Sequence, residues 1–184
     1  MPSLFQVHVD TWKNCTNCPL HETRRHIVLY RASVPCQLLV IGEAPGPSED
    51  MLGKPFIGPA GKELDKLLRI AGYEGIAIGY TNLVACIPIA EDGGFMEPPD
   101  ESIVECAPRL FEIIRIAKPK VILMAGEIAQ TWIPEVLKKM KLDIPTVGII
   151  HPGAILRMKQ PQKNMALDRS VAILEDLREE HFPA

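Results

Sequence analysis

Four short apolar runs, Gln37–Ile41, Ile76–Val84, Lys120–Gly126 and Thr146–Ile150, alternate with segments whose apolar residues recur at helical spacing. The first helical segment lies near residues 60–71 and ends at Gly72, a suitable C-cap. The second starts at Asp100 as N-cap, carries Ile103, Val104, Ala107, Leu110, Phe111, Ile113 and Ile114 on one face, and ends before Pro119. A third covers about Ile128 to Met140 and is interrupted by Pro134. The last runs from Lys163 to Glu180 with Leu167, Val171, Leu174 and Leu177 as its inward stripe. Strands that alternate with helices and lack polar alternation of their own predict an α/β fold, a parallel sheet covered on both faces.

In such a sheet, ligands bind beyond the carboxyl ends of the strands. The first strand runs into Gly42-Glu43-Ala44-Pro45-Gly46 and then Pro55-Phe56-Ile57-Gly58-Pro59-Ala60-Gly61. This connection takes about 18 residues, far more than a strand-to-helix link needs, and long ordered loops tend to be functional. Its glycines match neither a dinucleotide fingerprint nor a phosphate-binding P-loop, so it reads as a pocket floor of another kind. Asn82 closes the second strand, and His151-Pro152-Gly153 follows the fourth. A lone histidine is more often structural, but here a loop, a carboxamide and an imidazole share one sheet edge, the convergence a reaction site needs.

The length of 184 residues suits a single domain over 1–184. Met1 to Asp10 has no cationic start followed by an apolar run, and no apolar stretch approaches a membrane span. The expectation is a cytoplasmic, nucleoid-accessible protein with no membrane partner. A net charge of −3 provides no global basic field, so any attraction for nucleic acid must be local. One local group is Arg157, Lys159, Lys163 and Arg169 with Leu156 and Met158 among them; taken alone it fits a solvated loop better than a phosphate site. Arg24, Arg25 and His26 form another short basic cluster, whereas the exposed Ala90–Pro99 loop is acidic through Glu91, Asp92 and Glu97.

Five cysteines, an odd number in a reducing setting, argue against a disulfide framework. Cys15 and Cys18 form a C-x-x-C, while Cys86 and Cys106 flank the exposed loop and a helix start. Four thiolates suit zinc or a [4Fe–4S] cluster, and spacing leaves open one real C-x-x-C beside two unrelated buried cysteines. Cys36, ahead of the first strand, reads as a small buried residue.

Taken together, Gly42–Gly46, Gly53–Gly61, Thr81–Cys86, His151-Pro152 and the four cysteines resemble the family-4 uracil-DNA glycosylases, over almost the whole chain. The resemblance implies a three-layer α/β/α fold with a four-stranded parallel sheet. It implies a [4Fe–4S] cluster on Cys15, Cys18, Cys86 and Cys106, structural rather than redox-active. The implied activity is a base-excision repair hydrolase that cuts the N-glycosidic bond of deoxyuridine in DNA, releases uracil and leaves an abasic site. The alternative is a non-catalytic nucleic-acid- or protein-binding member that keeps fold and cluster. By the same resemblance, uracil stacks on Phe56, Asn82 reads its N3–H and O4, and Gly42, Ala44, Pro45 and Gly46 border the base. His151 is then the donor to uracil O2, and Glu49 positions water and crowds the C5 face. Glu43 is a second water candidate or a structural bond to loop amides. Ala44 stands where family-1 enzymes have an aspartate. Gly153 stands where the family commonly has serine, so that backbone N–H groups near Gly153, with Arg157, Lys159 and Lys163, meet the DNA.

Overall fold

The computed structural model describes residues 1–183. Its helices and strands follow in the order α1 (Leu4–Trp12), β1 (Arg31–Ala32), β2 (Leu38–Gly42), α2 (Pro47–Leu52), α3 (Pro59–Ile70), β3 (Ile78–Asn82), α4 (Asp100–Ala117), β4 (Val121–Ala125), α5 (Glu127–Met140), β5 (Thr146–Ile149), α6 (Pro152–Arg157) and α7 (Gln162–His181). The sheet order is β1-β3-β2-β4-β5. Four strands are parallel as expected. The fifth, β1, is a two-residue edge strand antiparallel to β3, with Arg31 opposite Tyr80. Two residues are too few to leave a periodic signal in sequence.

Side chains of β2 and β4 alternate between two cores. Leu39, Ile41, Ile122 and Met124 pack toward α4 and α5, with Phe5, Val9 and Trp12 of α1 against the same cluster. Leu38, Val40, Val121 and Leu123 pack toward Leu64, Leu67 and Leu68 of α3 and Leu174 and Leu177 of α7. Both central strands are fully buried, which is why they read as unbroken apolar runs.

Four details depart from expectation. The 42–61 connection is not all loop: α2 starts at Pro47, where a missing N–H costs nothing, and stops at Gly53 in the left-handed region. The second strand is shorter, Ile78–Asn82. Asp100 is the first helical residue, with Pro99 in the cap position and no side-chain cap bond. Pro134 does not interrupt α5, and Pro108 likewise lies within α4. Packing outweighs the local cost of each proline. At the other end of the chain, α1 is capped by Ser3, whose side chain accepts from the Gln6 N–H. Among the described residues no helix is long and apolar enough to cross a membrane.

Candidate active site at the strand ends

β2 and β3 end flush, Gly42 pairing with Asn82, and β5 ends two residues before His151. Their ends open onto a cleft of about 450 Å³ whose walls include Glu49, Phe56, Asn82, Phe95, His151 and Arg157. The sequence-predicted aromatic, carboxamide and imidazole therefore face one space.

Gly42 permits that meeting. A β-carbon there would lie 2.6 Å from both Asn82 Oδ1 and Phe56 Cζ. Phe56 itself has φ of 55°, a conformation that side chains rarely adopt, and its carbonyl oxygen would lie 1.9 Å from a β-carbon on Gly61. Behind Phe56 stands Tyr80, centroid to centroid 5.8 Å. Tyr80 donates its hydroxyl to Asp65 at 2.9 Å and lies 3.9 Å beneath the Arg31 guanidinium, which pairs with the same carboxylate at 3.0 Å. Through Arg31, the edge strand β1 locks the aromatic floor of the cleft.

Asn82 is only 3% exposed. Among the described residues its carboxamide has no hydrogen-bond partner, although its backbone carbonyl is held by Arg109 Nη2. Buried carboxamides are normally bonded, so this one is available to a ligand.

His151 caps α6, and the Gly153 N–H donates to its Nδ1 at 3.1 Å. A nitrogen that accepts carries no proton, so the neutral ring bears its hydrogen on Nε2. Burial holds the imidazole below the ordinary histidine range; nearby Arg157 lowers it further, and Glu49 opposes both. The ring is a neutral Nε2–H donor at pH 7.

Glu49 Oε1 accepts from the N–H groups of Ile57 (3.0 Å) and Gly58 (2.7 Å). The carboxylate therefore ties α2 to the loop beneath the cleft. Its neighbour Asp50 points away and accepts from the N–H groups of Arg25 (2.9 Å) and His26 (3.3 Å).

The remaining candidates are distributed unevenly. Ala44 and Gly46 line the cleft, whereas Glu43 and Pro45 are not among its lining residues. Glu43 is half-buried, its carboxyl pushed up by burial and by Glu97, with Arg157 opposing. Gly153 is at the cleft, but its N–H is engaged by His151 and is not free for a phosphate. Arg157 lines the opening; exposed Lys159 and half-buried Lys163 lie beyond the lining residues. Three residues escaped sequence reading: Phe95, 56% exposed at the cleft; Asp50; and buried Arg109. Arg109 did leave a trace, a charged residue on the inward face of a helix between Cys106 and Ile113.

A second, smaller cavity is lined by Cys15, Cys18, Cys86 and Cys106 together, with Arg24 and Arg109. Arg24 Nη1 donates to Cys86 Sγ at 3.1 Å. Burial pushes the Cys86 thiol up to about 11; Arg24 opposes this, and Cys106 and Cys18 add to it. Among the described residues no three His, Cys, Asp or Glu side chains are gathered tightly enough to hold a metal ion. Cys36 lies apart in the core against Tyr30 and Gly79, as expected of a small buried residue.

Residues 32–178 match the family model described as the uracil DNA glycosylase superfamily. Over 144 residues the chain is 35% identical to the type-4 uracil-DNA glycosylase of Pyrobaculum aerophilum, covering 78% of this chain and 71% of that protein. It is 32% identical to the type-4 enzyme of Saccharolobus solfataricus, covering 77% of this chain and 63% of that protein. The crystal structure of wild-type Pedobacter heparinus SMUG2 superposes with a TM-score of 0.61 at 13% identity, covering 78% of this chain and 76% of that one, a likeness of fold.

Proposed function

The chain belongs to the type-4 branch of the uracil-DNA glycosylase superfamily, and we propose that it hydrolyses the N-glycosidic bond of deoxyuridine in DNA, releasing uracil and leaving an abasic site. The observation that carries this reading is the unpartnered Asn82 carboxamide, buried beside Phe56 in a cleft that also holds a neutral His151 Nε2–H.

A uracil that has left the base stack fits between these groups. Phe56 offers its face to the ring. Asn82 Oδ1 accepts from uracil N3–H, and its Nδ2 donates to O4. Cytosine presents the opposite pattern, and burying it there would leave polar groups unpaired. As the C1′–N1 bond breaks, its electron pair moves into the base and negative charge grows on O2. His151 Nε2–H donates to that oxygen without first losing a proton to form the neutral ring, a preorganised stabilisation of about 3 kcal/mol. Water then adds to C1′ of the oxocarbenium-like sugar, and the proton it loses ends on the departing uracil anion, giving neutral uracil and a C1′ hydroxyl. Glu49, with Oε1 engaged by the loop, has Oε2 left to orient that water and to crowd the C5 face where thymine bears a methyl group. Glu43 reads better as a structural residue, being half-buried and outside the cleft wall. Arg157 at the opening is the first phosphate contact, with Lys159 and Lys163 further along the strand.

Cys15, Cys18, Cys86 and Cys106 fit a [4Fe–4S] cluster: all four line one cavity, and four thiolates are the donor set such a cluster takes. When bound, the cluster supplies a cross-link between the N-terminal segment, the stretch that follows β3, and α4.

Purified protein should release uracil from a single-stranded or U:G oligonucleotide. Asn82→Ala and His151→Ala should each lower the rate by about 100-fold or more. Full activity in both variants sinks the assignment of the cleft, and binding without release selects the non-catalytic alternative. A yellow-brown protein absorbing near ~400 nm supports the cluster; a colourless one speaks against it.

A further inference from the structure

Arg109 is 1% exposed and makes no ion pair among the described residues. Its Nη1 donates to Thr81 Oγ1 at 2.9 Å, and its Nη2 to the carbonyls of Asn82 (2.5 Å) and Leu83 (3.0 Å). It therefore grips the end of β3 at the residue whose side chain enters the cleft. Its Nε–H is buried and unpartnered. An uncompensated buried cation is costly, and carbonyl dipoles offset only part of that cost.

No carboxylate among the described residues lies within ion-pair distance of Arg109. His8 is fully buried and, held below the ordinary range chiefly by burial, neutral; its Nδ1 is engaged by Glu112 at 2.8 Å. Glu112 keeps its negative charge, but its Oε2 is engaged by His8 and Trp12 and it makes no ion pair with Arg109. The other boundary of Arg109 is the cavity of the four cysteines, and Cys106 precedes it by three residues on the same helix face. Four thiolates on a cluster leave that cavity net negative.

We infer that Arg109 is a positioning residue: its guanidinium is the buried counter-charge to the thiolate-held cluster and, through Thr81 and the Asn82 and Leu83 carbonyls, it sets where the Asn82 carboxamide stands. Occupancy of the cysteine cavity and affinity of the cleft for uracil are then coupled through one side chain. This rests on the cluster reading above.

The test compares iron-loaded wild type with Arg109→Gln and Arg109→Lys. Iron content, the cluster's midpoint potential, binding of free uracil and the kcat and KM of uracil release are measured on each. A buried positive charge favours the reduced cluster, so Arg109→Gln should shift the potential to more negative values and weaken uracil binding about tenfold. Lysine keeps the charge without the fork, so Arg109→Lys should hold the wild-type potential while still binding uracil about tenfold more weakly. An unchanged potential in Arg109→Gln overturns the counter-charge assignment. Wild-type uracil affinity in both variants overturns the positioning assignment. If Arg109→Gln fails to fold, Arg109→Lys decides alone: full iron with weakened uracil binding supports the inference, and unchanged binding overturns it. Wild-type release of uracil with unaltered variants defeats this inference only, whereas a wild type without release defeats the glycosylase reading, and one without iron overturns the coupling.

Discussion

One added methyl group at Gly42 would press on Asn82 and Phe56, the two side chains proposed to hold the base. Its β-carbon would meet Asn82 Oδ1 and Phe56 Cζ, the far ends of side chains rather than backbone, so the fold yields by moving those two side chains. Gly42→Ala should therefore keep a near-wild-type melting temperature and lose at least about tenfold in kcat/KM for uracil release. Gly61→Ala presses on the Phe56 backbone carbonyl, which has nowhere to go; it should lower stability by about 1–3 kcal/mol in urea unfolding. His151 adds a pH signature. Burial and Arg157 depress its pKa, so the competent neutral ring persists below the ordinary value of about 6.5 and is lost only as pH falls through the depressed one. The acid limb of the kcat/KM profile should lie below about pH 6.5, and Arg157→Ala, by removing a repelling cation, should move that limb to higher pH.

Among the elements, α2 shows how the long connection becomes a rigid floor. Adjacent carboxylates hold it from two sides, Glu49 to the Ile57–Gly58 loop and Asp50 to the Arg25–His26 backbone. Asp50→Ala should leave those N–H groups unpaired and cost about 1–3 kcal/mol, with faster hydrogen exchange at residues 25 and 26. The connection's length announced a functional segment, but a six-residue helix is too short for an apolar period, and nothing local distinguishes Glu49 from an exposed glutamate. Strands were more legible. The runs around β2 and β4 are buried on both faces, so composition alone revealed them; β1 has two residues, and its role depends on Arg31 reaching Asp65 and Tyr80.

For the molecule as a whole, a net charge of −3 and a cleft whose described lining carries Arg157 as its one Lys or Arg imply few phosphate contacts. The logarithm of oligonucleotide affinity should fall with the logarithm of salt at a slope of only about −2 to −3. A slope several units steeper would count against so small a number of contacts. The layer order, the parallel sheet and the strand ends that bear Asn82 and His151 were all readable from residue order, because burial of a strand or a helix stripe leaves a period in its own segment. The meeting of the Gly42–Gly61 loop with Asn82 and His151 followed from that topology, and the family resemblance singled out Phe56 within the loop. What residue order did not contain was the chemical state of the groups that meet. His151 became a neutral Nε2 donor through the Gly153 N–H and burial, Glu49 a loop tether through two distant amides, and Arg109 a buried cation through its place between β3 and four cysteines. Protonation and hydrogen bonding depend on neighbours brought from elsewhere in the chain, and those neighbours exist only once the layers have closed.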